Sequence, residues 1–254
     1  MSEKGDLRGQ TIVFTGQPKS NKALLEVERL GGNVKVFPLI QTREVMFQDE
    51  VFINKLESFD WMIFTSQNAV AAFKDKLIRH EVVLDGLKSK IAAVGSKTAE
   101  ALEKLGVTVS FMPTTFSADV FIQQFPRVAS DTERCLFVKG SLAKATIKEG
   151  ISQPVEEWTV YETFPDVKTA NELLIYVERH HDIMIAFASP SAVEVFNREI
   201  ASATGWDEIK TAAIGHVTAA SLEKKGALVH VQPEKYTWLE LVKQIVRWKE
   251  ETQK

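Results

Sequence analysis

The sequence predicts an α/β protein in two lobes, each built on a parallel sheet. Three observations predict it: apolar runs of strand length alternate with helix-like patterns, the helical patterns stop on glycine, and half of the chain repeats in the other half. "IAAVGSKTAEALEKLGVTVSFMP" from Ile91 to Pro113 aligns without gaps to "TAAIGHVTAASLEKKGALVHVQP" from Thr211 to Pro233, an offset of 211 − 91 = 120 residues. Both read strand, Gly-x-x-Thr, helix, Gly, strand, Pro. Just upstream of each lies a hydroxyl-rich corner, "FTSQNAV" from Phe64 and "FASPSAV" from Phe187.

Taken in order, the chain opens with "TIVFTG" from Thr11, an apolar strand closing on glycine. Ser20 then precedes "NKALLEVERLGG", whose Leu24, Val27 and Leu30 share one helix face and whose Gly31 and Gly32 stop the helix. A second strand, "VKVFPLIQT", starts at Val34. These pieces form a segment A, and the first corner with its Gly-x-x-Thr block forms a segment B. "CLFVKG" from Cys135 and "VEEWTVYET" from Val155 repeat A, and the second corner and block repeat B. Gly106 and Gly226 close their helices as left-handed caps. The end, "LVKQIVRWKEETQK", reads as an amphipathic helix with Trp248 packed on a lobe. About ten strands joined by right-handed crossovers suit two five-stranded, flavodoxin-like sheets. Pattern alone leaves two arrangements open. Either A joins B, with a boundary near Ser130 to Glu133, or A joins the second B and the first B joins the second A. The latter leaves two connections, "FPLIQTRE" and "WTVYETFP", able to pair as a two-stranded hinge.

Composition bounds the function. The 254 residues, 44% hydrophobic and 26% charged, are ordinary for a globular chain of two modest domains. Lys+Arg 31 against Asp+Glu 34 gives a net charge of −3, so no global field draws the protein to nucleic acid or anionic lipid, and an anionic ligand needs local help. Cys135 is the only cysteine, which excludes an internal disulfide and a cysteine zinc site and suits a core thiol. The start, "MSEKGDLRGQ", lacks the apolar run of about 7–15 residues of a signal peptide. No run approaches the roughly 18 apolar residues of a membrane span, so a cytoplasmic location is expected. There is no phosphate-loop or dinucleotide glycine motif, and His180-His181 has no Cys or carboxylate at metal spacing.

What remains is hydroxyls at helix starts. Ser66 and Ser189 end their strands, and Thr98 and Thr218 lie in the first turn after Gly95 and Gly215, with Thr65, Asn68 and Ser96 beside them. In an open parallel sheet all of these fall at the carboxyl edge, where ligands bind and helix N-termini receive anions. The same serines serve as plain helix caps in any α/β protein, and duplication copies caps as faithfully as sites. Lys139, at the end of "CLFVKG", is a cation leaving a strand at that edge.

In order and spacing, "FTSQNAV", "AAVGSKTAEAL", "VYET", "FASPSAV" and "AAIGHVTAASL" resemble the uroporphyrinogen III synthase family over essentially the whole chain. The resemblance implies the crossed arrangement. One lobe then comprises 1–37 with 166–254 and the other 45–157, with 38–44 and 158–165 as hinge strands. It implies cyclisation of hydroxymethylbilane, a linear tetrapyrrole with eight carboxylates, in the cleft between the lobes. The substrate loses its hydroxyl to give an azafulvene, and the last ring is inverted through a spirocyclic intermediate, with no metal or organic cofactor. Tyr161 in "VYET" is then the residue to assist the departing hydroxyl, and Thr65, Ser66, Asn68, Ser96, Thr98, Lys139, Ser189 and Thr218 are the substrate-binding set. A monomer is expected, with no nucleic-acid or membrane partner, and transient contact with hydroxymethylbilane synthase is left open. The family often has arginine after the first strand, where this chain reads "FTGQPKS", so Gly16 and Gln17 weaken anion binding there unless Lys19 compensates. These departures, with Ala69, leave a rival: a non-catalytic, two-lobed module that binds a tetrapyrrole or another polyanion and regulates a neighbouring enzyme.

Overall fold

The computed structural model describes residues 6–18, 20–83 and 87–252; Lys19 lies outside them. Among the described residues eleven strands form: β1 (Thr11–Phe14), β2 (Asn33–Val36), β3 (Ile40–Glu44), β4 (Trp61–Phe64), β5 (Lys90–Ala93), β6 (Val109–Phe111), β7 (Cys135–Gly140), β8 (Val155–Pro165), β9 (Ile183–Phe187), β10 (Lys210–Ala213) and β11 (Val229–Val231). Between them run α1 (Lys22–Arg29), α2 (Asp49–Ile53), α3 (Gln67–Arg79), α4 (Ser96–Glu103), α5 (Ala118–Gln124), α6 (Thr146–Gly150), α7 (Val167–Arg179), α8 (Pro190–Phe196), α9 (Ser202–Thr204), α10 (His216–Lys224) and α11 (Trp238–Thr252).

The chain divides into two compact units, Met1–Gln41 with Phe164–Lys254, and Thr42–Thr163. The first holds a sheet in the order β11-β10-β9-β1-β2, with every pair parallel. The second sheet runs β3-β8-β7-β4-β5-β6. Its five strands from β8 to β6 are parallel and repeat the order of the first: two A strands, then three B strands. Each A segment therefore shares a sheet with the B segment of the other repeat. The second sheet counts six strands and not five because β3, from the expected strand stretch 38–44, pairs with β8, as the two connections were expected to pair. The Asp166 N–H donates to Leu39 O at 2.9 Å and the Val45 N–H to Val160 O at 3.1 Å, so β3 runs antiparallel to β8.

Strands that carry the corners are buried along their whole length, as central strands of a two-faced parallel sheet must be. Side chains alternate between two cores in each sheet. In the second unit Met62, Phe64, Leu136, Val138 and Trp158 fill one face, and Trp61, Ile63, Cys135 and Phe137 fill the other. Each such side chain stabilises the fold by about 1.5–3 kcal/mol. Burial pushes the Cys135 thiol up to about 12, with Glu133 and Asp60 adding to the effect, so it is an inert core group. Gly106 and Gly226 hold φ of +82° and +83° after α4 and α10, where a side chain would be strained. α1 departs from expectation at its start: Asn21, not Ser20, is in the capping position and its side chain makes no cap. α11 buries Leu241, Val242, Ile245 and Val246, and Trp248 packs edge-on against His230.

Two charged clusters pin the second unit. Lys76 on α3 is 0% exposed. Its Nζ donates to Asp49 Oδ1 at 2.7 Å and Oδ2 at 2.8 Å and to Val45 O at 2.5 Å. Glu44 lies 3.1 Å away and takes a two-pronged bond from Arg79. These bonds anchor the stretch after β3 to α3. At the amino edge of the sheet, Glu133 accepts from Lys90, the Trp61 indole and the Ser130 N–H at 2.8, 3.0 and 2.9 Å. Bonds from Lys90 first and Trp61 second hold its carboxyl at about 2. A depressed carboxylate contributes stability above its unfolded value of about 4.3. That contribution is lost as pH falls through the folded value. Urea unfolding at pH 6 and pH 3 should therefore show a smaller acid loss of stability in Glu133→Gln than in the parent. Equal losses would show that the cluster does not respond to pH.

Candidate functional site

In sheets of this strand order the carboxyl ends diverge between the first A strand and the first B strand, and ligands bind there. In the second unit that point lies between β7 and β4. Phe64 ends β4, the chain turns through Thr65 and Ser66, and Ser66, in extended backbone, caps α3 by accepting the Ala69 N–H at 3.1 Å. The Ser66 hydroxyl also lies 3.1 Å from the phenol oxygen of Tyr161. Tyr161 reaches it because of an irregularity in β8: Lys139 faces Thr159, but Gly140 faces Tyr161. Val160 is the extra residue, and both it and Tyr161 pack on the core face of Phe64 and Trp158, which a regular pleat forbids. The ring lies on Gly140. A Cβ there would stand 2.3 Å from Tyr161 Cζ and 2.6 Å from its hydroxyl.

The other predicted residues divide into three groups. Thr65 is half-buried in the turn, and Asn68 is exposed in the first turn of α3. Ser96 opens α4, which starts on Gly95 with no side-chain cap, and α10 likewise starts on an uncapped Gly215. Thr98 and Thr218 are only 4% and 3% exposed, and their N–H groups donate to Gly95 O and Gly215 O at 3.0 and 3.1 Å, so both side chains sit in the packed face of their helix. Lys139 also departs from expectation. It sits on the face opposite Tyr161, 13% exposed in its side chain, and donates to Glu157 at 2.9 Å. Burial opposes ionisation of Glu157, yet bonds from Lys139 and Lys148 outweigh it and lower its pKa. Lys139 is therefore neutralised by its neighbour strand and is not aimed past the sheet edge.

In the first unit Ser189 caps α8, accepting the Ala192 N–H at 3.2 Å. Gly16, after β1, faces Trp238 Cζ2, 3.4 Å from where its Cβ would be. Sequence reasoning missed a polar pair at this edge. Tyr236 lies over Gly215, where a Cβ would meet its Cγ at 2.9 Å, and its hydroxyl is 2.9 Å from His216 Nδ1. The repeat offset carries Tyr236 onto Phe116, which is 56% exposed near Gly95; that correspondence could have located the pair. Among the described residues no three His, Cys, Asp or Glu side chains converge as a metal site, and no helix is long and apolar enough to cross a membrane.

The profile of the family described as uroporphyrinogen-III synthase HemD matches residues 22–243. The uroporphyrinogen-III synthase of Chlorobaculum parvum is 32% identical over 238 residues, 89% of this chain and 93% of that protein. The chain belongs to the uroporphyrinogen-III synthase family. The synthase of Synechococcus elongatus is 27% identical over 213 residues, 79% of each chain. Among solved structures, a mutant uroporphyrinogen III synthase of Thermus thermophilus superposes with a TM-score of 0.75 at 17% identity, covering 96% of this chain and 100% of that one. The Helicobacter pylori enzyme gives 0.62 at 17% identity, over 94% and 98%. At these identities the structural likeness speaks for the fold alone.

Proposed function

We propose that the protein is a uroporphyrinogen III synthase, closing hydroxymethylbilane with inversion of its last pyrrole ring and loss of one water. The observation that carries this reading is family membership over residues 22–243. The site suits the chemistry. The substrate loses its hydroxyl to give a resonance-stabilised azafulvene, so the protein needs to hold one ring-closing geometry and assist the departing oxygen, more than to supply a nucleophile. Tyr161 is the assisting residue, because a phenol gives a hydrogen bond without adding a charge. Substrate carboxylates bind at the uncapped starts of α4 and α10, beside Ser96 and His216, with Thr65, Asn68 and Ser189 at the neighbouring corners; each unit thus has its own receptor for anionic groups. The protein works as a cytoplasmic monomer that receives its substrate from hydroxymethylbilane synthase by transient contact.

The test is the rate of bilane consumption when hydroxymethylbilane synthase generates the substrate in situ. The protein is expected to speed consumption well above the spontaneous closure, equally with and without EDTA. No acceleration by folded protein would contradict the reading.

A further inference from the structure

Among the described residues, the bond between Ser66 and Tyr161 has no counterpart in the first unit. Ser189 occupies the place of Ser66 and caps its helix alike, but the second A strands differ by 155 − 34 = 121 positions, which carries Tyr161 onto Ile40. Gly16, in the place of Gly140, faces Trp238 and Ala188. Duplication and helix capping therefore explain the serine, yet neither explains why a phenol is turned onto it. Three separate features produce that contact: the extra residue in β8, the bare Cα of Gly140 under the ring, and the cap geometry that fixes the Ser66 hydroxyl.

We propose that Ser66 and Gly140 are positioning residues for the Tyr161 hydroxyl. The inference rests on the synthase reading and moves Ser66 from the substrate's carboxylates to the phenol. One lone pair of Ser66 Oγ is taken by the Ala69 N–H, which fixes its direction. The Ser66 O–H then donates to the phenol oxygen, and the phenol proton is left as the free donor toward the departing hydroxyl. Only a hydrogen bond is asked of Tyr161: the C–O bond breaks, the pyrrole N–H of the same ring gives up its proton as the azafulvene forms, that proton completes the departing water, and the phenol stays protonated. Gly140 acts by having no side chain. Contact between ring and methyl carbons needs about 3.5 Å, so an added Cβ at 2.3 Å from Cζ displaces the ring by more than its hydrogen bond to Ser66 tolerates.

The experiment is a pair of double-mutant cycles on bilane consumption, with folding of each variant checked by circular dichroism. Ser66→Ala should lower kcat about tenfold, the value of one well-placed hydrogen bond, with KM within about twofold. Ser66→Thr should restore at least about half of kcat. In a Tyr161→Phe background, Ser66→Ala should cost less than about twofold more, because the two act as a unit. Gly140→Ala should lower kcat roughly tenfold or more. In a Tyr161→Ala background, where the ring is gone, it should cost less than about twofold. Multiplying effects in either cycle, or Ser66→Ala raising KM at unchanged kcat, would overturn the proposal. If the parent protein itself does not accelerate consumption, the synthase reading fails before any variant is compared, and the proposal fails with it.

Discussion

Gly95→Asp is expected to make the protein more stable and a worse catalyst. Gly95 is in extended backbone, φ −139°, at the start of α4. A Cβ there meets only Phe116 Cβ at 3.8 Å, an ordinary contact. The aspartate can therefore cap the first turn, and a carboxylate at a helix N-terminus stabilises it by about 0.3–1 kcal/mol. In the synthase reading that same turn receives a substrate carboxylate. The new side chain takes its hydrogen bonds and repels it, at a cost of about 1.4–2.8 kcal/mol, or a rise in KM of roughly 10- to 100-fold. Thermal unfolding and steady-state kinetics measure the two effects, which carry opposite signs. A raised Tm with an unchanged KM would show that α4 does not receive substrate.

Lys76→Met is expected to destabilise the protein by about 3–5 kcal/mol, the cost of removing one partner from a buried ion pair. The methionine fills similar volume, so the loss comes from Asp49. This carboxylate is 5% exposed, and without Lys76 the nearest cation is Arg79 at 3.7 Å. Adding Asp49→Leu should return most of the loss, since replacing both members of a buried pair by apolar groups is close to neutral. Urea unfolding of the single and double variants tests this. A cost below about 1 kcal/mol for Lys76→Met would mean that the cluster contributes little beyond packing.

Much of this was legible because the chain is duplicated. Two copies of strand, Gly-x-x-Thr, helix and glycine located the sheets, the helix ends and the carboxyl-edge corners, and Ser66 and Ser189 cap as their position implies. What the pattern hid was contact between segments far apart in sequence. Nothing near Lys139 shows that Glu157, eighteen positions on, takes its charge. Nothing near Tyr161 shows that one extra residue in β8 turns it onto Gly140. The burial of Thr98 was readable, since it shares a helix face with Leu102 four positions on. The ligand role expected of Thr98 and Thr218 rested on their place in the first turn at the carboxyl edge, and that place does not reveal which way the side chain faces. The pairing of β3 with β8 was legible too, in the two β-rich connections "FPLIQTRE" and "WTVYETFP", although "IQTRE" is mostly polar and exposed, as an edge strand is.

The measurement that bears most directly on the account is the isomer of the product. Hydroxymethylbilane generated in situ closes by itself to isomer I, without inversion of the last ring. With the protein present, the oxidised porphyrins separated by chromatography should be predominantly isomer III. Isomer I alone, from folded protein at the same concentration, would contradict the synthase reading and leave a two-unit protein that binds tetrapyrroles or other polyanions without turning them over.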